Sequence, residues 1–467
     1  MKENNSLKTD LYQLTMAAGY VREGMADTMS TFDLFIRRLP ETRNYLLISG
    51  IEESLNYLES FRFDADQISY LKSLPSFSSQ EEIFFNKLES LRFRGDVWAV
   101  REGTPLFAKE PIIVVRAPII EAQLVETYLE NVIGSQTMFA SKASRIFDVA
   151  APKTLIEFGT RRSHDPEAAI ACARASYIAG FEGSSNVEAG KRYGIPAIGT
   201  MAHSFVMSFD SELEAFRSYA KTFPKNTVLL VDTYDTEAGI RNAITVAKEM
   251  ESRGEHLRGV RIDSGDLSGM SKLARKLFDE AKLKDISIFL SSDLDEIKIA
   301  QLKRDGADCQ MYAVGTMLST SSDAPNLPIV YKLAEHETAP GVMTPCIKVS
   351  EGKTTLPGLK QVYRHSSNSR FTRDEICLAT ERRPDARPLL EKVMEHGKII
   401  ARMPTINETR EYATDQRNRL PSELRGLEQS AYTVEVSHEL SQLQAVLVKE
   451  ITERTTSLNK RRVIDYA

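Results

Sequence analysis

The chain has 467 residues, 42% of them hydrophobic and 27% charged, with a formal net charge of -5. That length supports two or three domains with sizeable cores. The mildly acidic balance excludes a polycationic surface for nucleic acid or acidic membranes. No apolar run is long enough to span a bilayer, and the polar start Met1-Lys2-Glu3-Asn4-Asn5 contains no signal-peptide core. Four scattered cysteines, Cys172, Cys309, Cys346 and Cys377, give neither a disulfide framework nor a zinc spacing. They read as buried thiols in a reducing cytoplasm.

The span from Thr9 to Tyr20 reads as a helix capped by Thr9 or Asp10, with Leu11, Leu14 and Ala18 on one face. Tyr12 falls on another face, where a plain surface aromatic is the simpler account. An alternating strand is predicted over 31–37, a helix over 50–61 and a loop over 75–79. Short strands at 95–100 and 112–115, separated by Glu102-Gly103-Thr104-Pro105, form a compact β module. Helical periodicity runs from Glu121 to Val149. From Lys153 to about Lys332 strands and helices alternate. Strands are expected at 155–158, 178–181, 195–199, 227–232, 259–263, 287–291 and 311–315, and helices at 166–179, 236–250, 268–281 and 294–305. Such alternation argues for a parallel sheet, open or closed into a barrel, with ligands at the carboxyl ends of its strands. Further on, short antiparallel strands at 347–349 and 361–364 flank Lys353-Thr354-Thr355-Leu356-Pro357-Gly358. The tail is helical from Ser437 to about Thr455 and ends in a basic Lys460-Arg461-Arg462, read as a solvated helix end. The domain division is therefore 1–120 (α+β), 121–152 (helical bridge), 153–335 (α/β barrel) and 336–467, the last partly completing the first domain.

Several predicted strands end in residues suited to phosphate chemistry. Glu157-Phe158-Gly159-Thr160-Arg161-Arg162 sets an aromatic and a guanidinium around a glycine, a pair that can stack a ring and bind phosphate. A buried Phe with surface arginines is the alternative. Gly183-Ser184-Ser185-Asn186 offers small donors, or an ordinary helix cap. His203 follows Gly199 and Thr200 just past a strand, where a capping or core histidine is the bland reading. Asp232 ends an apolar strand and can hold Mg²⁺ through water, whereas Asp235 reads as an N-cap. The acids superficially resemble the paired-acid signature of type I phosphoribosyltransferases, but no small-residue phosphate loop follows. Arg261 and Asp263 point to one side of an extended segment, placing a bidentate donor beside a hydroxyl or cation acceptor. Ser291-Ser292 and Gly315-Thr316 each form a small phosphate cradle after a strand.

These motifs, together with Thr9-Asp10-Leu11-Tyr12 and Thr355-Leu356-Pro357-Gly358, resemble the nicotinate phosphoribosyltransferase family over most of the chain. The resemblance implies an irregular α/β barrel of the type II phosphoribosyltransferase kind, a second α+β domain built from both chain ends, and a homodimer sharing its active sites. It implies that nicotinate and 5-phosphoribosyl 1-diphosphate combine in the first step of NAD salvage, with Mg²⁺ and ATP hydrolysis through phosphorylated His203. By the same resemblance Tyr12 reaches across the dimer to the pyridine ring, with Phe158 on its other face. Thr200 and Arg261 contact nicotinate. Arg161, Ser291, Ser292, Gly315 and Thr316 take phosphate and diphosphate, Asp232 lies near Mg²⁺, and Asp263 orients ribose hydroxyls. Ser185 stands where nicotinamide enzymes carry an Asp that repels a carboxylate, which favours the acid. A nicotinamide or quinolinate enzyme of the same fold and a non-catalytic phosphoribosyl diphosphate sensor are the competing readings. An aldolase-type barrel is disfavoured, because no predicted strand end carries a lysine.

Overall fold

A computed structural model describes residues 4–350 and 352–464, without the side chains of 456–464. The charges of Lys460, Arg461 and Arg462 and the start Met1-Lys2-Glu3 therefore lie outside the described residues. The chain forms two compact units, one of 138–325 with 425–428 and the other of 1–137, 326–424 and 429–467. The stretch expected as a bridge is two helices, Ile119–Leu124 and Glu126–Ala150.

The 138–325 unit holds six parallel strands: Thr154–Glu157, Gly183–Ser184, Val228–Leu230, Gly259–Ile262, Ser287–Leu290 and Met311–Val314. Counted in that order, they lie side by side as second, first, sixth, fifth, fourth, third. The sheet is curled, and no hydrogen-bonded pairing joins its second and third strands, so the barrel is irregular. Runs such as Val228-Leu229-Leu230 are wholly buried, as expected of strands covered on both faces. Helices Pro166–Ile178, Thr236–Glu251, Leu267–Glu280 and Glu296–Arg304 make the crossovers. Each starts on an aspartate whose side chain accepts a first-turn N–H: Asp165, Asp235, Asp266 and Asp295. A cap of this kind contributes about 1 kcal/mol, and the N-cap reading of Asp235 holds. The Thr236–Glu251 helix lies tight on the sheet, because a Cβ at Gly239 would sit 2.0 Å from the Val231 carbonyl oxygen.

Two strands expected in this unit are not formed. The helix runs to Ile178, and Gly180, at φ +115°, turns the chain before the Gly183–Ser184 strand, so 178–181 is a helix end. The 195–199 segment contributes one parallel bridge, from Ala197 to Ser184. Pro196 has no N–H to donate and accepts from Ser184 N–H at 3.1 Å, while Ile198 N–H donates to Ser184 O at 2.9 Å.

In the other unit, both ends of the chain build one seven-stranded sheet. Met29–Ile36 pairs antiparallel with Pro111–Pro118 on one side and Ile329–Ala339 on the other. Asp96–Val100 pairs with Pro111–Pro118 and with Leu390–Glu395. A four-stranded sheet contains Lys360–Ser367 and Arg370–Leu378. Residues 347–349 form no strand, since pairing ends at Pro345. Helices Ala65–Ser73 and Glu82–Ser90, not anticipated from the sequence, flank the 75–79 turn, and the tail helix runs from His438 to Ile464. No helix among the described residues is long and apolar enough to cross a membrane.

Candidate active site

The carboxyl ends of the curled sheet bring Phe158, Thr200, His203, Asp232, Arg261, Asp263 and Ser291 together. Arg261, on the fourth strand, donates from Nη1 to the Thr200 hydroxyl at 2.7 Å, and its Nη2 lies 3.6 Å from Asp263 Oδ2. The guanidinium carbon is 5.9 Å from the centre of the Phe158 ring. An aromatic face, a cation and a hydroxyl thus converge where the first and fourth strands end. Burial pulls the Arg261 pKa down, Asp263 and Asp232 push it up, and Arg161 lowers it further. Arginine stays charged through such shifts, so Arg261 is a partly desolvated cation facing other polar groups.

His203 opens the short helix His203–Met207. Its Nδ1 is 3.1 Å from Thr233 Oγ1, and its Nε2 is 3.9 Å from Asp263 Oδ2. Asp263 therefore stands between Arg261 and His203, and its Oδ1 accepts the Ser291 hydroxyl at 2.5 Å. Asp232 Oδ2 accepts the Asp263 N–H at 2.9 Å and the Ser264 hydroxyl at 2.6 Å, while Oδ1 is buried without a partner. Ser264-Gly265-Asp266 makes a tight turn, with Gly265 at φ +74° and Asp266 capping the next helix.

The expected phosphate ligands divide. Arg161 is exposed on the 3-10 turn Thr160–Arg162, free to reach outward. Ser292 follows Ser291 with φ +103°, a strained backbone for a non-glycine residue. Ser291 itself is buried, and its hydroxyl is directed at Asp263. Gly315 and Thr316 start a short helix after the sixth strand, and a Cβ at Gly315 would lie 3.2 Å from Phe158 O. Ser185 is partly exposed beyond the second strand. Tyr12, on the helix Leu11–Arg22 of the other unit, is 50% exposed. Two hydroxyls absent from the sequence-based site, Thr233 and Ser264, stand next to His203 and Asp232 in space and directly after Asp232 and Asp263 in the chain. Hydroxyls beside a candidate carboxylate or imidazole were the available signal.

Family models match three stretches: the nicotinate phosphoribosyltransferase N-terminal domain at residues 7–134, the nicotinate phosphoribosyltransferase family at 153–335 and its C-terminal domain at 383–444. A nicotinate phosphoribosyltransferase of Mycobacterium tuberculosis is 43% identical over 433 residues, which is 92% of this chain and 91% of that protein. The chain belongs to the nicotinate phosphoribosyltransferase family. A second relative in the family, from Bacillus subtilis, is 40% identical over 477 residues and 96% of each chain. The crystal structure of human nicotinic acid phosphoribosyltransferase superposes with a TM-score of 0.85 at 29% identity, covering 94% of this chain and 99% of that one. The fold is that of the family: a curled parallel sheet with a domain drawn from both chain ends.

The residues present fit a family Mg²⁺ in a limited way. Asp232 Oδ1 is an orphaned buried carboxylate oxygen at a strand end. No cluster of three or more metal-ligating side chains exists among the described residues. One carboxylate oxygen without a donor suits a hard cation that takes its other ligands from water and substrate phosphates.

Proposed function

We propose that this chain joins nicotinate to 5-phosphoribosyl 1-diphosphate, giving nicotinate mononucleotide and diphosphate, as the entry of nicotinate into NAD salvage. The observation that carries this reading is the Arg261–Thr200 pair beside the Phe158 ring. A flat aromatic carboxylate needs a ring to stack on and a cation with a hydroxyl for its oxygens. Ser185, in place of a carboxylate, leaves the acid form unopposed. The pyridine nitrogen attacks the anomeric carbon, and the bond from that carbon to the diphosphate oxygen breaks. Positive charge grows on the ribose ring, and Asp263 accepts ribose hydroxyls, a role supported by the Ser291 hydroxyl that holds its carboxylate. Arg161 and the Ser292 and Gly315-Thr316 turns take the phosphate groups. Mg²⁺ held at Asp232, when bound, offsets charge on the leaving diphosphate.

ATP use is part of this proposal. In the tautomer that donates Nδ1–H to Thr233, the Nε2 lone pair of His203 is left to accept the γ-phosphoryl group as ADP departs. A phosphoryl group there adds charge and acceptors beside Asp263, and water later removes it. A homodimer completes the site: Val187 and Tyr234, just after strands of the sheet, are 76% and 68% exposed, Met207 at the end of the His203–Met207 helix is 64% exposed, and Tyr12 is an exposed aromatic suited to cover the ring from a second copy.

Diphosphate release from 5-phosphoribosyl 1-diphosphate, with nicotinate or nicotinamide and with or without ATP, tests the reading. Release that depends on nicotinate is expected, with ATP stimulation lost in His203→Ala while some ATP-independent transfer remains. Release driven by nicotinamide alone, or none with either pyridine, refutes it.

A further inference from the structure

The first strand of the parallel sheet ends in a carboxylate sealed from solvent. Glu157 is 1% exposed, as is Ser184 at the end of the adjacent strand. A buried carboxylate is costly unless donors meet it, and here the donors belong to two turns at the mouth of the site. One oxygen accepts the Gly159 N–H and the other the Ser184 hydroxyl. The Glu157 backbone oxygen accepts the Ser185 N–H at 2.8 Å. Ser184 Oγ accepts the Asn186 N–H at 2.9 Å, and Asn186 caps the Val187–Tyr193 helix. Ser184 also makes the backbone bonds to Pro196 and Ile198 that anchor the segment leading to Thr200 and His203.

Neither turn has room for a side chain at its glycine, so each packs directly against its neighbours. A Cβ at Gly159 would lie 2.6 Å from Ser319 Cβ and 2.8 Å from Glu157 Oε1, and one at Gly183 would lie 2.5 Å from Pro196 O. Burial raises the Glu157 pKa, while the bonds from Ser184 and Gly159 pull it down. The carboxylate therefore joins the ring-stacking turn to the turn that carries Ser185.

We propose that Glu157 is a positioning residue for nicotinate: it fixes the spacing between Phe158 and Ser185, and through Ser184 the approach of Thr200. The proposal rests on the nicotinate reading above. Glu157 acts through these residues and needs no contact with substrate.

Two variants of the full chain test it. Glu157→Gln keeps the shape and removes the charge, and Ser184→Ala removes the hydroxyl at the other end. Each is expected to raise KM for nicotinate about tenfold, the scale of one charge-assisted hydrogen bond, with kcat within about threefold of wild type. The double variant is expected to be little worse than either single one, because both break the same link. A merely structural role would lower the folded fraction and apparent kcat while leaving KM in place. An unchanged KM in the variants that fold overturns the proposal, and Ser184→Ala alone decides if Glu157→Gln does not fold. Wild-type protein that shows no nicotinate-dependent diphosphate release overturns the functional reading itself.

Discussion

Replacing Thr200 with Val removes one hydroxyl and little else, and the structure sets the size of the effect. The Thr200 oxygen accepts from Arg261 Nη1 at 2.7 Å, a hydrogen bond to a charged donor. Bonds of that kind contribute about 1.5–3 kcal/mol. Arg261 is only partly buried and keeps Asp263 at 3.6 Å, so the lower end applies. A loss of about 1.5 kcal/mol is roughly a tenfold fall in kcat/KM for nicotinate. The guanidinium would still be present but less well aimed, so the fall is expected mostly in KM for nicotinate. The KM for 5-phosphoribosyl 1-diphosphate should barely move, because Arg161 and the strand-end turns face that substrate in this reading. Initial rates of diphosphate release at varied nicotinate, with thermal unfolding as a folding control, measure this. Activity within about twofold of wild type, or a loss confined to the sugar-phosphate substrate, would refute the assignment of this pair to the pyridine carboxylate.

Ser185→Asp should shift preference from nicotinate toward nicotinamide, read as the ratio of kcat/KM for the two pyridines, because a carboxylate there repels the acid and accepts from an amide. Burial, then Glu126, pushes the carboxyl of Glu130 up to about 7 from an ordinary 4.5. Between those values the folded state holds more protons than the unfolded chain, so this group makes stability fall as pH rises through that window. Glu130→Gln should therefore raise the urea midpoint relative to wild type at pH 8 and make no difference near pH 4. Tyr12→Ala and Arg261→Ala, each weakly active alone, should regain activity when refolded together, since in the proposed homodimer a mixed pair has one site free of both changes. Mixtures no more active than their parents would place Tyr12 outside the shared site.

The strand ends were the most readable part of the chain. Arg261 and Asp263 follow from alternation alone, because residues two apart in an extended segment share a side, and the 3.6 Å contact follows. Asp235 was readable as a cap because its chemistry is local. Segments whose form depends on distant partners were not. The 195–199 run has the apolar texture of a strand, yet only Ala197 finds a bridge, to Ser184. At 347–349, alternation lacks a neighbour to pair with. Ser291 looked like a phosphate donor because serine after a strand often is one. Its hydroxyl is directed at Asp263, a partner from the adjacent strand that no local pattern reveals. In the sequence Glu157 is only the first residue of a strand-end motif, since its burial and its two donors arise only in three dimensions.

The interleaved seven-stranded sheet has a consequence for birth at the ribosome. Met29–Ile36, Asp96–Val100 and Pro111–Pro118 emerge early and can pair with one another, but both outer borders of that trio stay bare. The strands that cover them, Ile329–Ala339 and Leu390–Glu395, arrive only after the intervening barrel unit has been made. At about 5–20 residues per second, the wait between Pro118 and Ile329 is roughly 10–40 s. Throughout it the nascent chain displays two naked sheet borders, an invitation to pairing between neighbouring polysomal chains. Slow or chaperone-poor synthesis should therefore harm this protein's yield through the strands of its first 118 residues, while the parallel sheet, made in one continuous stretch, finds all its pairing partners in passing.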